Sequence, residues 1–255
     1  MLNWLYNKIQ IRHRVSIIVP TRKNTKFLME SINSLLASAK KCSKFEILLG
    51  IDNCYDTLNF LIDKSIKLDP RISIYFFPKN VGPYVIRNTL IEKSKYDDIL
   101  LFDSDDVLME DSLDTILNAL VQYNIVKFKF YNFQDGKDYN DESNLKLASI
   151  CAHGAFAIRK ECYYELRGFY GWKCGADTEF MERYEAQGYF CYKIETPLFY
   201  RRFHGDNITK NKETGINSEF REKFRQYIYD NRKTMKWYSP EKIETSSCNR
   251  IILKT

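Results

Sequence analysis

Short metal-binding and disulfide motifs are missing from this 255-residue sequence. The seven cysteines are scattered and odd in number, with no CxxC pair and no cluster of cysteine with histidine. This pattern argues against both a structural zinc site and a disulfide framework. Reduced thiols in a cytosolic setting are the simplest interpretation of such cysteines.

Long hydrophobic runs are missing as well. The sequence has no stretch of 18 uncharged apolar residues, so it predicts no membrane-spanning helix. Residues 1–14 are amphipathic, but they are too short and too charged for a signal peptide. We therefore expect a cytoplasmic protein, and a peripheral membrane contact through its first turn stays open.

Charge is balanced over most of the chain but not at its end. Residues 1–200 hold 26 lysines and arginines against 26 acidic residues, whereas residues 201–255 hold 13 against 7. A basic tail suggests an anionic partner, such as nucleic acid, an acidic glycan or lipid headgroups. A solvated helix face is the alternative interpretation of the same residues.

Apolar runs alternate with helical periodicity through the first half of the sequence. Runs typical of strands covered on both faces occur at 15–19, 45–51, 72–77 and 97–103, and helical spacing follows each of them. This alternation predicts an α/β fold with a doubly wound, mostly parallel sheet. Further strands are predicted at 125–133 and as a pair over 148–160, with helices at 177–188 and 217–236 and a loosely held end at 239–255.

Three aspartates crowd the end of the fourth run, in the stretch ILLFDSDDVLME at 99–110. Packed carboxylates repel one another unless a cation neutralises them. In doubly wound sheets, ligands bind outside the carboxyl ends of the strands. Mg²⁺ and Mn²⁺ prefer carboxylate oxygens and share their coordination shell with substrate phosphates. The Asp-x-Asp of Asp103 and Asp105 therefore predicts a divalent metal that binds a diphosphate, and a capped acidic turn is the structural alternative.

Seven features of the sequence keep a common order and spacing over residues 15–209. They are VSIIVPTRKN, the aspartate at 52, NVGPYVIRN, FDSDD, GAFAIRKECYYELRGF, GADTEF and YRRFHGDNIT. Together they resemble the family 2 glycosyltransferases of the GT-A fold. The resemblance implies a Rossmann-like, mostly parallel central sheet flanked by helices. It places the catalytic domain at 1–209 and leaves 210–255 as a basic, mainly helical C-terminal extension.

The activity implied by the resemblance is inverting, metal-dependent sugar transfer in polysaccharide biosynthesis. The donor would be a nucleotide-diphospho-sugar, the cofactor Mn²⁺ or Mg²⁺, and the acceptor a hydroxyl group of a saccharide or lipid-linked glycan. A hydroxylated base in DNA is a further acceptor that the basic, aromatic tail permits. No covalent nucleophile is required for a single displacement.

Site residues follow from the resemblance position by position. Asp177, at the head of a helix, would be the general base. The metal would be held by Asp105, Asp103 and His204. The donor would contact Pro20, Thr21, Arg22, Asp52, Asn80, Gly82, Arg87, Asp103, Ser104 and Arg201, with Arg202 also near the phosphates.

Acceptor contacts are implied at Trp172, Ala176 and Glu179. Relatives often have Glu-Asp where this chain has Ala176-Asp177, so Glu179 is a candidate substitute for the missing carboxylate. Structural roles are the alternatives for three of the site residues: Asp177 as a helix cap, His204 as a hydrogen-bonded histidine and Trp172 as a core aromatic.

Two other functional classes compete with glycosyl transfer. A sugar-nucleotide nucleotidyltransferase would have a glycine-rich basic loop after the first strand, whereas PTRKNTKF contains no glycine. A nucleic-acid-binding module with a non-catalytic GT-A domain would use the basic tail. It would leave the aspartates unexplained, because an acidic pocket repels phosphate unless metal is bound.

Overall fold

The computed structural model describes residues 13–42, 44–63, 68–207, 210, 212–215, 217–234 and 236–252. Its strands are β1 (Arg14–Thr21), β2 (Lys44–Asp52), β3 (Ile72–Phe77), β4 (Asp98–Leu101), β5 (Val107–Leu108), β6 (Ile125–Gln134), β7 (Lys146–Leu147), β8 (Phe156–Arg159), β9 (Tyr192–Phe203) and β10 (Asn249–Ile251). Its α-helices are α1 (Leu28–Ser38), α2 (Tyr55–Asp63), α3 (Pro83–Lys93), α4 (Ser112–Leu120), α5 (Lys160–Glu165), α6 (Ala176–Ala186) and α7 (Glu219–Thr234).

One sheet joins these strands in the order β10-β3-β2-β1-β4-β8-β6-β9-β5, with β7 added to β6. Strands β3, β2, β1 and β4 are parallel neighbours, as the alternating pattern predicts. Beyond β4 the sheet is mixed, because β8 runs antiparallel to both β4 and β6 while β6 and β9 are parallel. The carboxyl ends of β1, β2 and β4 consequently meet at one edge, where the candidate site lies.

A hydrophobic core covers each face of the sheet. Ile17 and Val19 of β1 point into the core beneath α1, α2 and α4, whereas Ile18 points into the core beneath α3, α5 and α6. Both faces are buried, which explains why β1 is a continuous apolar run and not an alternating one.

Two predicted elements differ in the structure. The strand pair over 148–160 is wrong in its first half, because only Phe156–Arg159 pairs in the sheet and residues 148–155 cross the carboxyl edge as a loop. The loosely held end at 239–255 is also wrong within the described residues, because Asn249–Ile251 pair antiparallel with β3. Strand β9 was not predicted. Its Pro197 sits at the register shift between β6 and β9, a position that tolerates proline.

The membrane predictions have separate outcomes. Residues 1–12, which carry the proposed surface contact, lie outside the described part of the chain. Within the described ranges, no helix has the length and apolar character to cross a bilayer.

Candidate functional site

Asp52 lies at one side of the candidate site, where it holds a turn in place. It ends β2 and is buried, and its two carboxylate oxygens accept from the backbone N–H groups of Val81 (2.8 Å) and Gly82 (3.1 Å). Burial raises the pKa of Asp52, while these two hydrogen bonds oppose the rise. The carboxylate therefore fixes the turn that begins α3.

Residues at the end of β1 line the same side. Thr21 is buried, and its hydroxyl has no hydrogen-bond partner in the part of the chain that the structure describes. The neighbouring Arg22 donates from Nε (2.9 Å) and Nη2 (3.1 Å) to Asn80, with the Asn80 amide oxygen turned toward it. A buried hydroxyl without a partner is rare and suits a polar ligand atom.

Arg87 anchors the first aspartate of the Asp-x-Asp motif. Its buried guanidinium donates from Nη2 to Asp103 Oδ1 (2.7 Å) and to the Gly154 carbonyl (2.9 Å). The Asp103 side chain remains 44% exposed, so its carboxylate is still accessible at the carboxyl edge of the sheet. Desolvation and the charges of Asp105 and Asp177 raise the pKa of Asp103, whereas Arg87 opposes this rise.

Asp177 and Asp103 converge on Gly154. A Cβ atom at residue 154 would lie 3.1 Å from Asp103 Oδ2 and 3.5 Å from Asp177 Oδ2. Asp177 also accepts from the Thr178 backbone N–H through Oδ1 (2.8 Å), and Oδ2 is the oxygen that approaches Gly154. The helix that carries Asp177 begins after Gly175, whose φ of +80° favours glycine.

Asp105 and His204 are direct partners. His204 Nε2 lies 2.7 Å from Asp105 Oδ2, and His204 Nδ1 accepts from the Asp206 backbone N–H at 3.2 Å. Because Nδ1 is an acceptor, Nε2 carries the proton and donates to the aspartate. Asn207 also donates to Asp105 Oδ2 (3.3 Å). His204 thus orients Asp105 in this arrangement, and its role as a metal ligand stays a prediction.

Asp106 and Arg202 support the site from behind. Asp106 is buried and accepts from the Arg202 backbone N–H (2.9 Å), which ties the acidic loop to β9. Burial and the neighbouring aspartates hold the pKa of Asp106 well above its usual range. The Arg202 guanidinium donates to the Asp105 carbonyl (3.1 Å) and pairs with Glu30. Arg202 therefore shapes the loop and does not extend into open space.

Three more of the residues that were predicted to contact the donor have defined places in the structure. Ser104 is buried, and Asn24 donates to both its carbonyl (2.7 Å) and its hydroxyl (3.1 Å). Pro20 lies within β1, paired with Gly50. Arg201 lies on β9, close enough to Asp103 for its positive charge to oppose the rise in the pKa of that aspartate.

The acceptor predictions at Ala176 and Glu179 do not agree with the structure. Both residues are fully buried, and Glu179 forms a two-point ion pair with the equally buried Arg183 (2.8 and 3.0 Å). Helix α6 turns Glu179 toward the core beneath the sheet, so its carboxylate cannot meet an acceptor. Trp172 is half-buried and stacks on Tyr170 with ring centres 5.0 Å apart, and its acceptor contact stays a prediction.

Replacing Glu179 with alanine is expected to lower the free energy of unfolding by about 3–5 kcal/mol. The change would leave the Arg183 guanidinium buried without a carboxylate, which is a costly arrangement. Urea denaturation measures this effect. The exposed Glu185 on the same helix is a matched control, and Glu185→Ala should change stability by less than about 0.5 kcal/mol. Equal losses in the two variants would contradict the assignment of Glu179 to the core.

The donor chemistry of the aspartates fits a hard divalent cation. In the described residues no three His, Cys, Asp or Glu side chains form a metal cluster, so a site built from protein ligands alone is not indicated there. Mg²⁺ commonly takes one or two carboxylates and completes its shell with phosphate and water. Asp103 and Asp105 fit that requirement, because their side chains are 44% and 23% exposed and so remain open to a cation that also binds phosphate and water.

Gly154 and Tyr84 are site residues that sequence reasoning missed. Gly154 gives the two carboxylates room, as the Cβ distances show, and Tyr84 lies beside Asp177, whose charge and hydrogen bond add to the raised pKa of its phenol. The small residues in AHGAF were the available signal for a close backbone approach. Tyr84 carried no signal beyond its place in a helix.

Comparison with known proteins finds a family match over most of the sheet. The sequence model of Glycosyl transferase family 2 matches residues 16–184. A glycosyltransferase of Haemophilus influenzae is 33% identical over 112 residues, which are 44% of this chain and 44% of that protein. A glycosyltransferase of Rickettsia bellii is 36% identical over 92 residues, which are 36% of this chain and 13% of that protein. The matches thus span less than half of either relative.

Solved structures of S. aureus TarS are similar in fold. TarS 1–349 in complex with UDP-GlcNAc has a TM-score of 0.60 at 18% identity, covering 75% of this chain and 59% of that chain. The complex of TarS 1–349 with UDP has a TM-score of 0.59 at 17% identity, with coverages of 85% and 69%. Together with the family match, this likeness identifies the GT-A fold and confirms the predicted mixed α/β architecture.

Proposed function

This chain belongs to glycosyl transferase family 2, and we propose that it transfers a sugar from a nucleotide-diphospho-sugar to an acceptor hydroxyl with inversion. The observation that carries the proposal is the convergence of Asp103 and Asp177 on Gly154. One carboxylate lies at the end of a parallel strand, and the other lies at the start of a helix. This arrangement provides separate groups for the leaving diphosphate and the incoming hydroxyl.

The donor is expected to bind across the ends of β1, β2 and β4. The unpartnered hydroxyl of Thr21 and the exposed Arg22 offer polar contacts for a nucleoside, beside the turn that Asp52 holds. TarS was solved with UDP-GlcNAc and with UDP, which supports a uridine nucleotide as the first donor to test. Arg201 on β9 supplies a positive charge near Asp103.

A divalent cation would be held by Asp105 and Asp103. When bound, Mn²⁺ or Mg²⁺ neutralises the negative charge of the diphosphate as it leaves. The chain's own contribution is to aim the two aspartates. Arg87 fixes Asp103 from the buried side, and His204 and Asn207 fix Asp105.

Asp177 is proposed to act as the general base. Its Oδ2 atom would accept the proton of the acceptor's hydroxyl group. The hydroxyl oxygen would at the same time bond to the anomeric carbon of the sugar, and the bond from that carbon to the phosphate oxygen would break. A single displacement of this kind inverts the anomeric configuration. Thr178 holds the other carboxylate oxygen, so the base has a defined orientation before the acceptor arrives.

Family membership favours glycosyl transfer over the two competing classes. The nucleotidyltransferase alternative lacks both a glycine-rich loop and a matching relative among those found. The nucleic-acid alternative depends on the basic tail, and it leaves the aspartates at the end of β4 without a role, because an acidic pocket repels phosphate unless metal is bound. A saccharide or lipid-linked glycan is the acceptor we propose.

Ligand-dependent stabilisation tests the donor proposal. UDP with MnCl₂, at about 100 times its dissociation constant, should raise the melting temperature by about 5–10 °C. EDTA should remove most of that shift, whereas UDP-GlcNAc should reproduce it with Mn²⁺. The nucleosides and sugar phosphates without a diphosphate are the controls. A shift that is equal with and without metal would contradict the proposed diphosphate site.

A further inference from the structure

The loop at residues 168–175 connects α5 to the helix that carries Asp177. Side chains of α3 and α6 form hydrogen bonds with its backbone. Arg183 of α6 donates from Nη2 to the Gly168 carbonyl (2.9 Å). Asn88 of α3 donates to the Phe169 carbonyl (2.8 Å) and accepts from the Phe169 N–H (3.0 Å). The position of Asp177 therefore depends on how firmly this loop is held.

Residues 238–246, named the strap here, run across the outside of that loop. Tyr170 donates its hydroxyl to the Tyr238 carbonyl (2.9 Å), and the Glu244 carboxylate accepts from the Gly171 N–H (3.1 Å). The strap is itself fastened to α3, because Asn88 donates to the Glu244 carbonyl (2.9 Å) and Ser246 donates its N–H to Thr89 Oγ1 (3.0 Å).

Asn88 joins the strap, the loop and the helix in one buried junction. Its side chain is fully buried, its amide nitrogen serves both the loop and the strap, and its oxygen also accepts from the Tyr163 hydroxyl (2.9 Å). Asn88 directly follows Arg87, the residue that anchors Asp103. A buried amide with all four of these contacts fixes its neighbours to one arrangement.

The loop also touches the donor side. A Cβ atom at Gly82 would lie 3.8 Å from the Trp172 carbonyl oxygen and 3.8 Å from Lys173 Cα, so the loop packs against the turn that Asp52 holds. On the other side of the loop, a Cβ atom at Gly171 would lie 2.2 Å from Glu244 Oε2. Residues 171–173 therefore lie between the strap and the turn of Val81 and Gly82 that Asp52 holds.

We propose that the strap positions the loop at residues 168–175 for catalysis, with Glu244 as a positioning residue. The inference rests on the proposed role of Asp177 and extends it to a segment beyond residue 184, where the family match ends. The strap then leads into β10, which pairs with β3 and secures it to the sheet. The C-terminal extension is accordingly part of the catalytic apparatus.

Steady-state hydrolysis of UDP-GlcNAc with Mn²⁺, in which water replaces the acceptor, tests the strap. Glu244→Ala should lower kcat by about 3- to 10-fold, the value of one hydrogen bond, and leave KM for UDP-GlcNAc within about twofold. Glu244→Gln should retain most of the activity, because its amide oxygen still accepts from Gly171. Amide hydrogen exchange of residues 168–175 should accelerate in Glu244→Ala and not in Glu244→Gln.

Glu241→Ala is the matched control. Glu241 is exposed, and it contacts Arg167 through its backbone carbonyl, which alanine keeps. If Glu244→Ala and Glu241→Ala behave alike while Asp177→Asn stops hydrolysis, the strap proposal is wrong and the proposed function stands. If Asp177→Asn also leaves hydrolysis unchanged, the proposed function itself fails.

Discussion

Replacing Asp177 with asparagine is expected to lower the rate of sugar transfer by about 10²–10⁴-fold, the usual contribution of a positioned general base. Asparagine has nearly the same shape, and its Oδ1 atom can still accept from the Thr178 N–H that Asp177 binds at 2.8 Å. The start of α6 is therefore preserved while the proton acceptor is lost. Initial rates of transfer and binding of UDP with Mn²⁺ measure the two effects separately.

Donor binding by Asp177→Asn should remain within about threefold of the original protein, because the aspartate is proposed to contact the acceptor and not the nucleotide. Glu185→Gln is the control, since Glu185 is exposed on the same helix. Parallel losses of donor affinity and of rate in Asp177→Asn would place this carboxylate in the diphosphate site. An unchanged rate would remove it from the mechanism.

Asp105→Ala is expected to lower turnover by about 10³-fold and to abolish the effect of Mn²⁺ on UDP binding. A bound metal supplies several kcal/mol of charge stabilisation, and Asp105 is its proposed ligand. The change also removes the acceptor for His204 Nε2 and for Asn207, both of which are half-buried. Titration calorimetry of UDP with and without Mn²⁺ measures the loss directly.

His204→Ala separates the two interpretations of the histidine. If His204 only orients Asp105, the variant should keep Mn²⁺-dependent UDP binding with a moderate loss of affinity. If His204 is a metal ligand, His204→Ala should lose as much Mn²⁺-dependent UDP binding as Asp105→Ala does. Asp63→Ala, at the exposed end of α2, is the control for the negative charge that Asp105→Ala removes. Full Mn²⁺ dependence in Asp105→Ala would contradict the metal assignment.

The parallel half of the fold was predictable because its signals are local. Strands such as β1 are continuous apolar runs with both faces buried, and α3 begins at Pro83, a favoured first helical residue. The placement of Asp52 and Asp103 at the same edge of the sheet also followed from topology, since the carboxyl ends of parallel strands meet at one edge. The family resemblance implied that Asp105 and His204 belong to one site, but their direct hydrogen bond was not predicted.

Other features could not be predicted because they depend on the tertiary surroundings. Glu179 and Arg183 are spaced four apart, which is also the pattern of an exposed helical ion pair, and nothing local shows that α6 buries them. The strap is held by the Glu244 side chain and by backbone atoms. Because such contacts need no hydrophobic periodicity, the sequence of the strap gives no sign of them. A polar segment of this kind is indistinguishable from a free end.

The basic tail illustrates a similar limit of charge counting. Its net charge suggested an anionic partner, but Lys223 and Arg225 have acidic neighbours on α7, and Arg232 pairs with Glu182 of α6. These two acidic neighbours are already counted among the seven acidic residues of the tail, so of these pairs only that of Arg232 with Glu182 lowers the charge that the count had left for a partner. A contact with an anionic surface therefore stays a prediction.

An anomalous-scattering map of a crystal grown with Mn²⁺ and UDP tests the central claim most directly. The account predicts one manganese peak within coordination distance of a carboxylate oxygen of Asp105 or Asp103 and of the UDP diphosphate. The uracil and ribose should lie along the ends of β1 and β2. UDP bound elsewhere, or bound there while both aspartates contact only arginine and histidine, would contradict it.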